Sequence, residues 1–205
     1  MYLGYDYSER FIKKEIKKSG LSFVKPKNLE RKIANLLSQN KVVAHFSKNM
    51  EFGPRALGNR SILCSAKDSS INDTLNKRLN RTEFMPFAPI IIKKDAPKFL
   101  KISDKVDYKY MTFTVDCKPS MLKYAPAAVH VDKTARPQLI SKKDNLRLYK
   151  ILTEYKKITG VPILINTSFN MHEEPIVNSP SDAIRAFLLG DLDNLVLDKF
   201  LIYKQ

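Results

Sequence analysis

The feature that most constrains this chain is the run Glu-Phe-Gly-Pro-Arg-Ala-Leu-Gly-Asn-Arg-Ser at 51–61. Gly53 and Gly58 admit backbone conformations that other residues avoid, and Pro54 fixes one, so the run can be neither the middle of a helix nor a central strand. On either side stand KVVAHF at 41–46 and SILCSA at 61–66, whose β-branched and apolar content reads as buried strand. The chain must then enter and leave a shaped loop through a sheet, which puts the loop on a rim where ligands are commonly met. Arg55, Asn59, Arg60 and Ser61 supply two guanidinium forks, an amide and a hydroxyl, the donors that phosphate or carboxylate oxygens accept best. A surface turn with two solvated arginines is the competing reading, and the loop alone leaves both open.

The rest of the chain alternates helical and extended patterns. Ser8 caps a helix carrying Phe11, Ile12 and Ile16 and stopped by Gly20; a strand follows at 21–24, and Asn28 opens a second helix with Leu29, Ile33, Leu36 and Leu37 at helical spacing. Ser69 or Ser70 starts a third, with Ile71, Leu75 and Leu79 inward and Asn76, Lys77, Asn80 and Arg81 on the remaining face. MPFAPIII at 85–92 ends as a strand. A helical turn at 95–100, a loop at 101–110 and short strands at 111–117 and 128–131 come next. Pro137 then biases Arg136 to an extended backbone, from which an arginine loses less freedom on gripping an anion.

A helix at 144–159, closed by Gly160, feeds the apolar run VPILIN at 161–166. It delivers Asn166, Thr167, Ser168 and Asn170 to a strand end, where α/β sheets bind ligands, although these are also ordinary turn residues. Ser179-Pro180 opens a last helix, and 195–203 closes the sheet as a bent strand or hairpin. The pattern is an α/β fold. Neither GxxxxGK[ST] nor GxGxxG occurs, so a bound nucleotide needs another scaffold.

With 205 residues, 43% of them hydrophobic, the chain can bury the core of one domain. Its net charge of +15 suits an anionic partner, whether nucleic acid, nucleotide or acidic subunit, but the lysines are spread in pairs along the chain, as on solvated faces. Cys64 and Cys117 stand apart from any metal or disulfide spacing, so no metal ligand is nominated. His45 and His130 lie in strand-like runs and read as structural. No apolar run approaches the ~18 residues of a bilayer span and no signal-peptide core is visible, so a cytoplasmic protein without membrane contact is expected.

Four ordered blocks carry a resemblance: FGPRALGNRS at 52–61, PFAP at 86–89, HVDKTARPQ at 130–138 and GVPILINTSFNMHEEPIV at 160–177. Together they resemble the C-terminal domain of the O-carbamoyltransferases, enzymes that carbamoylate nodulation factors and antibiotics of the cephamycin and tobramycin types. The resemblance implies a YrdC-like twisted mixed sheet flanked by helices over 1–205. It also implies binding of ATP and carbamoyl phosphate, with Mg²⁺ as a helper, and formation of carbamoyladenylate for transfer to a hydroxyl group. Transfer would fall to an N-terminal actin-like ATPase-fold domain, which this sequence lacks and which would act as a partner. By motif, Arg55 would hold phosphate or carbamoyl oxygens, Arg136 the nucleotide or carbamoyl phosphate, and Asn166 and Ser168 the carbamoyladenylate. Arg55, Arg136 and Ser168 would be the catalytic set, with Asn59, Arg60, Ser61, Asn80, Arg81, Thr167 and Asn170 completing the binding site. Asn80 and Met85 stand where many relatives have a lysine and an arginine. Two further readings are a non-catalytic nucleotide-binding or regulatory subunit and an RNA-binding module.

Overall fold

The computed structural model describes residues 1–80 and 87–204. Ten strands and six helices occur in them. The strands are β1 (Phe23–Val24), β2 (Val43–Phe46), β3 (Arg60–Ser65), β4 (Ala88–Ile92), β5 (Val115–Asp116), β6 (Thr134–Ala135), β7 (Gln138–Ile140), β8 (Ile163–Ser168), β9 (Asn194–Leu197) and β10 (Phe200–Tyr203). The helices are α1 (Glu9–Lys18), α2 (Leu29–Ser38), α3 (Ser70–Arg78), α4 (Pro119–Tyr124), α5 (Leu146–Thr159) and α6 (Pro180–Leu189).

Eight strands form one mixed sheet in the order β1-β10-β9-β2-β3-β8-β4-β7. The pairs β2–β9 and β4–β7 are parallel and the others antiparallel. Alternation along β2 sorts the core into two layers. Val43 points into a cluster with Leu63, Leu164 and the apolar stripes of α2 and α5, while Ala44 and Phe46 join Ile62, Ile165 and residues of α1, α3 and α6 on the other face. Helix starts follow the expected caps: Ser8, Asn28 and Asn145 accept from the third amide on, and Ser179 with Asp182 forms a capping box. Gly160 ends α5 in the left-handed region at φ 77°, where a side chain would be strained. β9 and β10 make the expected closing hairpin.

Three expectations are corrected. The strand expected at 111–117 is only β5, paired with β6 in a separate two-stranded sheet. The strand at 128–131 is absent: Pro126, which cannot donate to a ladder, opens a 3-10 turn at Pro126–Ala128, and Val131 is fully exposed. Asn76 does not face solvent. It is 7% exposed, and α3 buries Asn72 beside it, the Asn72 amide donating to Ala127 O at 2.9 Å. None of the described helices is long and apolar enough to cross a membrane.

Candidate functional site

The loop between β2 and β3 is held from within by a carboxylate. Glu51, 4% exposed, accepts through Oε1 from the amides of Leu57 (2.7 Å), Asn59 (2.7 Å) and Arg60 (3.1 Å). Three converging donors replace the water that a buried charge would otherwise need. From the sides, Tyr2 donates to Leu57 O (2.9 Å), Gln138 donates to the same carbonyl (3.0 Å), and Asn145 donates to Asn59 Oδ1 (3.0 Å). Gly58 sits at φ 114° against α5, where a Cβ would fall 2.3 Å from Leu148 Cδ2, so only glycine fits this approach. Beneath it, buried His45 makes a 2.6 Å bond from Nδ1 to Gly58 O, which requires the proton on Nδ1 and leaves Nε2 bare and without a partner. Burial, reinforced by the Arg147 charge, pushes this histidine down to about 3.

Within this frame the two arginines of the loop part company. Arg60 is fully buried, its guanidinium 3.5 Å above the Phe46 ring and donating to the carbonyls of Ser47, Asn59, Tyr5 and Lys48. Burial lowers it to about 10, so it stays charged at neutral pH. It braces the chain, and the expectation that it faces an anion is corrected: alternation at the start of β3 sends residue 60 to the enclosed side. Asn59 and Ser61 are braces as well. Asn59 donates to Asn49 O (2.8 Å), and Ser61 Oγ accepts from Gly58 N (3.0 Å).

Arg55, by contrast, is exposed, and its charge bears on half-buried Arg136. Burial first, then the Arg55 charge, lowers the proton affinity of Arg136. Among the described residues neither guanidinium is in an ion pair, and Arg136 Nε is buried without a partner. Two cations held near each other and unpaired among the described residues favour whatever anion enters.

The end of β8 contributes unevenly. Asn166 is 1% exposed, lying under the loop with Nδ2 donating to Ala56 O (3.2 Å) and Gln138 Oε1 (2.8 Å), which leaves only its buried Oδ1 without a partner. Thr167 and Ser168 are half-buried. Asn170 spends Nδ2 on Met171 O (3.0 Å) and Glu174 O (2.8 Å), again with Oδ1 unpartnered. His172 N donates to Leu79 O (3.1 Å), which docks this turn on the end of α3 beside Asn80, an exposed residue at φ 55°. Arg81 and Met85 lie outside the described residues. Sequence reasoning missed Glu51, Gln138, Asn145 and Tyr2. An acidic residue opening a Gly-Pro-Arg loop was the one visible hint. Among the described residues no group of three His, Cys, Asp or Glu side chains could hold a metal.

This sheet with its helices defines a YrdC-like α/β protein. It superposes on full-length HypF in its phosphate- and nucleotide-bound form with a TM-score of 0.59, at 18% identity over 86% of this chain and 22% of that one. Sua5 of P. abyssi superposes with a TM-score of 0.55, at 12% identity over 83% of this chain and 48% of the other. Residues 34–204 match the carbamoyltransferase C-terminus family, and the chain belongs to it. Nodulation protein NolNO of Sinorhizobium fredii is 36% identical over all of this chain and 31% of its own length. Nodulation protein NolO of Bradyrhizobium diazoefficiens is 40% identical over 84% of the chain and 32% of its own. An uncharacterized protein of Methanocaldococcus jannaschii is 38% identical over 99% and 40%. The chain thus spans between about a third and two fifths of the length of these relatives.

Proposed function

We propose that this domain binds ATP and carbamoyl phosphate and forms carbamoyladenylate, the activated carbamoyl group then passing to a hydroxyl on a sugar or other small molecule. The observation that carries the reading is the Arg55–Arg136 pair, two cations on one rim without an anionic partner among the described residues. Both substrates are anions, and bringing them together needs fixed positive charge to offset their repulsion. Water attacks the phosphorus of carbamoyl phosphate and breaks its bond to the bridging oxygen, releasing inorganic phosphate and carbamate, and a carbamate oxygen then attacks the α-phosphorus of ATP. The bond from that phosphorus to the bridging oxygen breaks, and pyrophosphate leaves with the electron pair. Arg55 and Arg136 would bind the phosphates and stabilise the charge that grows on the leaving group, and Ser168 and Asn170 would meet the neutral carbamoyl end. Mg²⁺ fits as an ion carried on the nucleotide phosphates, whose charge it would further offset.

Transfer to the acceptor would belong to an N-terminal actin-like ATPase-fold partner, in keeping with the greater length of the relatives. The test is titration of the chain with ATP and Mg²⁺, with and without carbamoyl phosphate, coupled to a pyrophosphate-release assay. Release on addition of both substrates is expected; absence of any binding would overturn the reading. A second reading, a nucleotide-binding subunit without adenylation, is favoured by the neutral, exposed Asn80 at the end of α3. Binding without release would select it.

A further inference from the structure

Residues 130–136 form a hydrogen-bonded relay that the reading above leaves without a task. Lys133, at φ 63°, reverses the chain, so that His130 N donates to Thr134 O (2.8 Å) and Lys133 N to His130 O (2.9 Å). This turn sets the His130 ring against the Thr134 side chain, with 3.0 Å between Nδ1 and Oγ1. The Thr134 hydroxyl gives its one proton to Asp132 Oδ1 (2.7 Å), which also accepts from Thr134 N (2.9 Å). Those two bonds hold Asp132 below the usual carboxylate range, so it has no proton to return. Thr134 Oγ1 can then only accept from the ring, and the hydrogen sits on Nδ1. Nε2 is left as a bare lone pair, without a partner among the described residues. A carboxylate and a hydroxyl that fix the tautomer of an imidazole are the usual means of preparing a histidine to accept a proton.

Two further observations say where this base stands. Ala135 is fully buried, and in an extended backbone its neighbours Thr134 and Arg136, both half-buried, turn to the opposite side. His130, bonded to Thr134, therefore shares a side with Arg136, whose charge bears on it. The half-buried histidine also lines a cavity of about 620 Å³ with Ser70, Asn72 and Asp73 of α3, so water reaches it. Burial, opposed by the Asp132 charge and reinforced by that of Arg136, holds the ring below the usual histidine range, and at neutral pH it is uncharged.

We propose that His130 is the general base of the phosphate-releasing step, its Nε2 taking a proton from the water that attacks the phosphorus of carbamoyl phosphate. The inference rests on the reading of that step given above. As the water oxygen bonds to phosphorus, the bond from phosphorus to the bridging oxygen breaks and carbamate leaves with the electron pair. The proton on Nε2 then passes to solvent. Arg136 holds the phosphoryl group on the side where the ring stands, and the bonds from Nδ1 through Thr134 to Asp132 steady the imidazolium while it exists. Thr134 and Asp132 act through the histidine and are positioning residues. Asp132 and Arg136 are the charges that set its titration, with Asp73 on the α3 side of the cavity.

Two assays on the full chain separate this step from adenylation: phosphate release from carbamoyl phosphate with ATP and Mg²⁺, and pyrophosphate release from ATP when ammonium carbamate is supplied ready made. His130→Gln should lower the first about a hundredfold or more and leave the second unchanged. Imidazole in the buffer should restore part of the first in His130→Ala, which a merely structural histidine would not show. In the wild type, phosphate release should rise with pH through a limb below pH 6.5 that His130→Gln lacks. Asp132→Asn should move that limb to lower pH, because the carboxylate favours the proton on the ring, and Thr134→Val should lower kcat without raising KM. Phosphate release retained in His130→Gln overturns the proposal, as does loss of both activities that imidazole does not rescue. Pyrophosphate release from carbamate by a wild type that frees no phosphate from carbamoyl phosphate overturns it too, and leaves the adenylation reading standing. Phosphate release that depends on His130, with no pyrophosphate from carbamate, keeps the base and removes the adenylation.

Discussion

Arg55 and Arg60 belong to the same eleven-residue run, and each looks equally suited to an anion. In the folded chain one lies exposed beside another cation, while the other is enclosed, with four backbone carbonyls and an aromatic face around its guanidinium. The difference comes from the backbone each rides on. Arg60 is already the first residue of β3, paired opposite Phe46, so the pleat commits its side chain inward. Arg55 follows Pro54 on the part of the loop that no strand constrains. A guanidinium that satisfies the chain's own carbonyls is a structural part, and one without a counter-charge among the described residues is available to a ligand.

The comparison is broken most directly at Arg60. Arg60→Met should leave four carbonyls without their donor and cost about 3–5 kcal/mol, read as a lower urea midpoint. A loss under about 1 kcal/mol would show that water replaces the guanidinium and that the two arginines differ less than the geometry says. At the other pole, Arg55→Ala and Arg136→Ala should leave the urea midpoint within about 0.5 kcal/mol and weaken carbamoyl phosphate or ATP binding by about 1.5–3 kcal/mol. Binding unchanged in a folded variant would take that arginine out of the site.

The frame under the loop carries a pH signature. His45 falls from 6.5 in the unfolded chain to about 3 in the fold, so between those values the unfolded chain holds more protons and stability drops as the pH falls. From neutral pH to pH 5 the loss should be about 2 kcal/mol, and His45→Gln should abolish that part of the slope. A wild-type and variant pair with parallel pH profiles would mean that the buried Nε2 finds an acceptor on protonation. Smallest is Glu51→Gln, which keeps the shape but weakens three charge-assisted bonds. About 1 kcal/mol of stability should go, with faster amide exchange at Leu57, Asn59 and Arg60. Exchange unaltered at those amides would show that the loop holds its form without the carboxylate.

Periodicity and caps were enough to find α1, α2, α3, α5 and α6, because burying a stripe is a local demand that repeats along the chain, but they missed α4, too short to show a period. They failed where the answer depended on what lay across the fold. Asn76 looks like part of a polar face until α3 is seen to press that face onto residues 126–128, and the extended-looking residues after Pro126 form a turn because no strand is there to pair with. At the candidate site, the approach of Arg136 to Arg55 could be suspected from Pro137 and the loop. The role of Glu51 could not, because three amides converge on its carboxylate only after the loop has folded back on itself.

The sheet order also governs when this fold can exist during synthesis. β9 sits between β2 and β10, and β10 is the strand that holds β1, so the earliest and middle strands are joined only by residues 194–203. Until those residues leave the ribosome, β2 has an open edge and β1 has no partner, and the contacts that close the sheet span almost the whole chain. Such long-range closure is slow and leaves apolar edges uncovered in the meantime. The chain must therefore be sheltered until residues 194–203 are made, and losing that hairpin would leave β1 without a partner and bare the edge of β2.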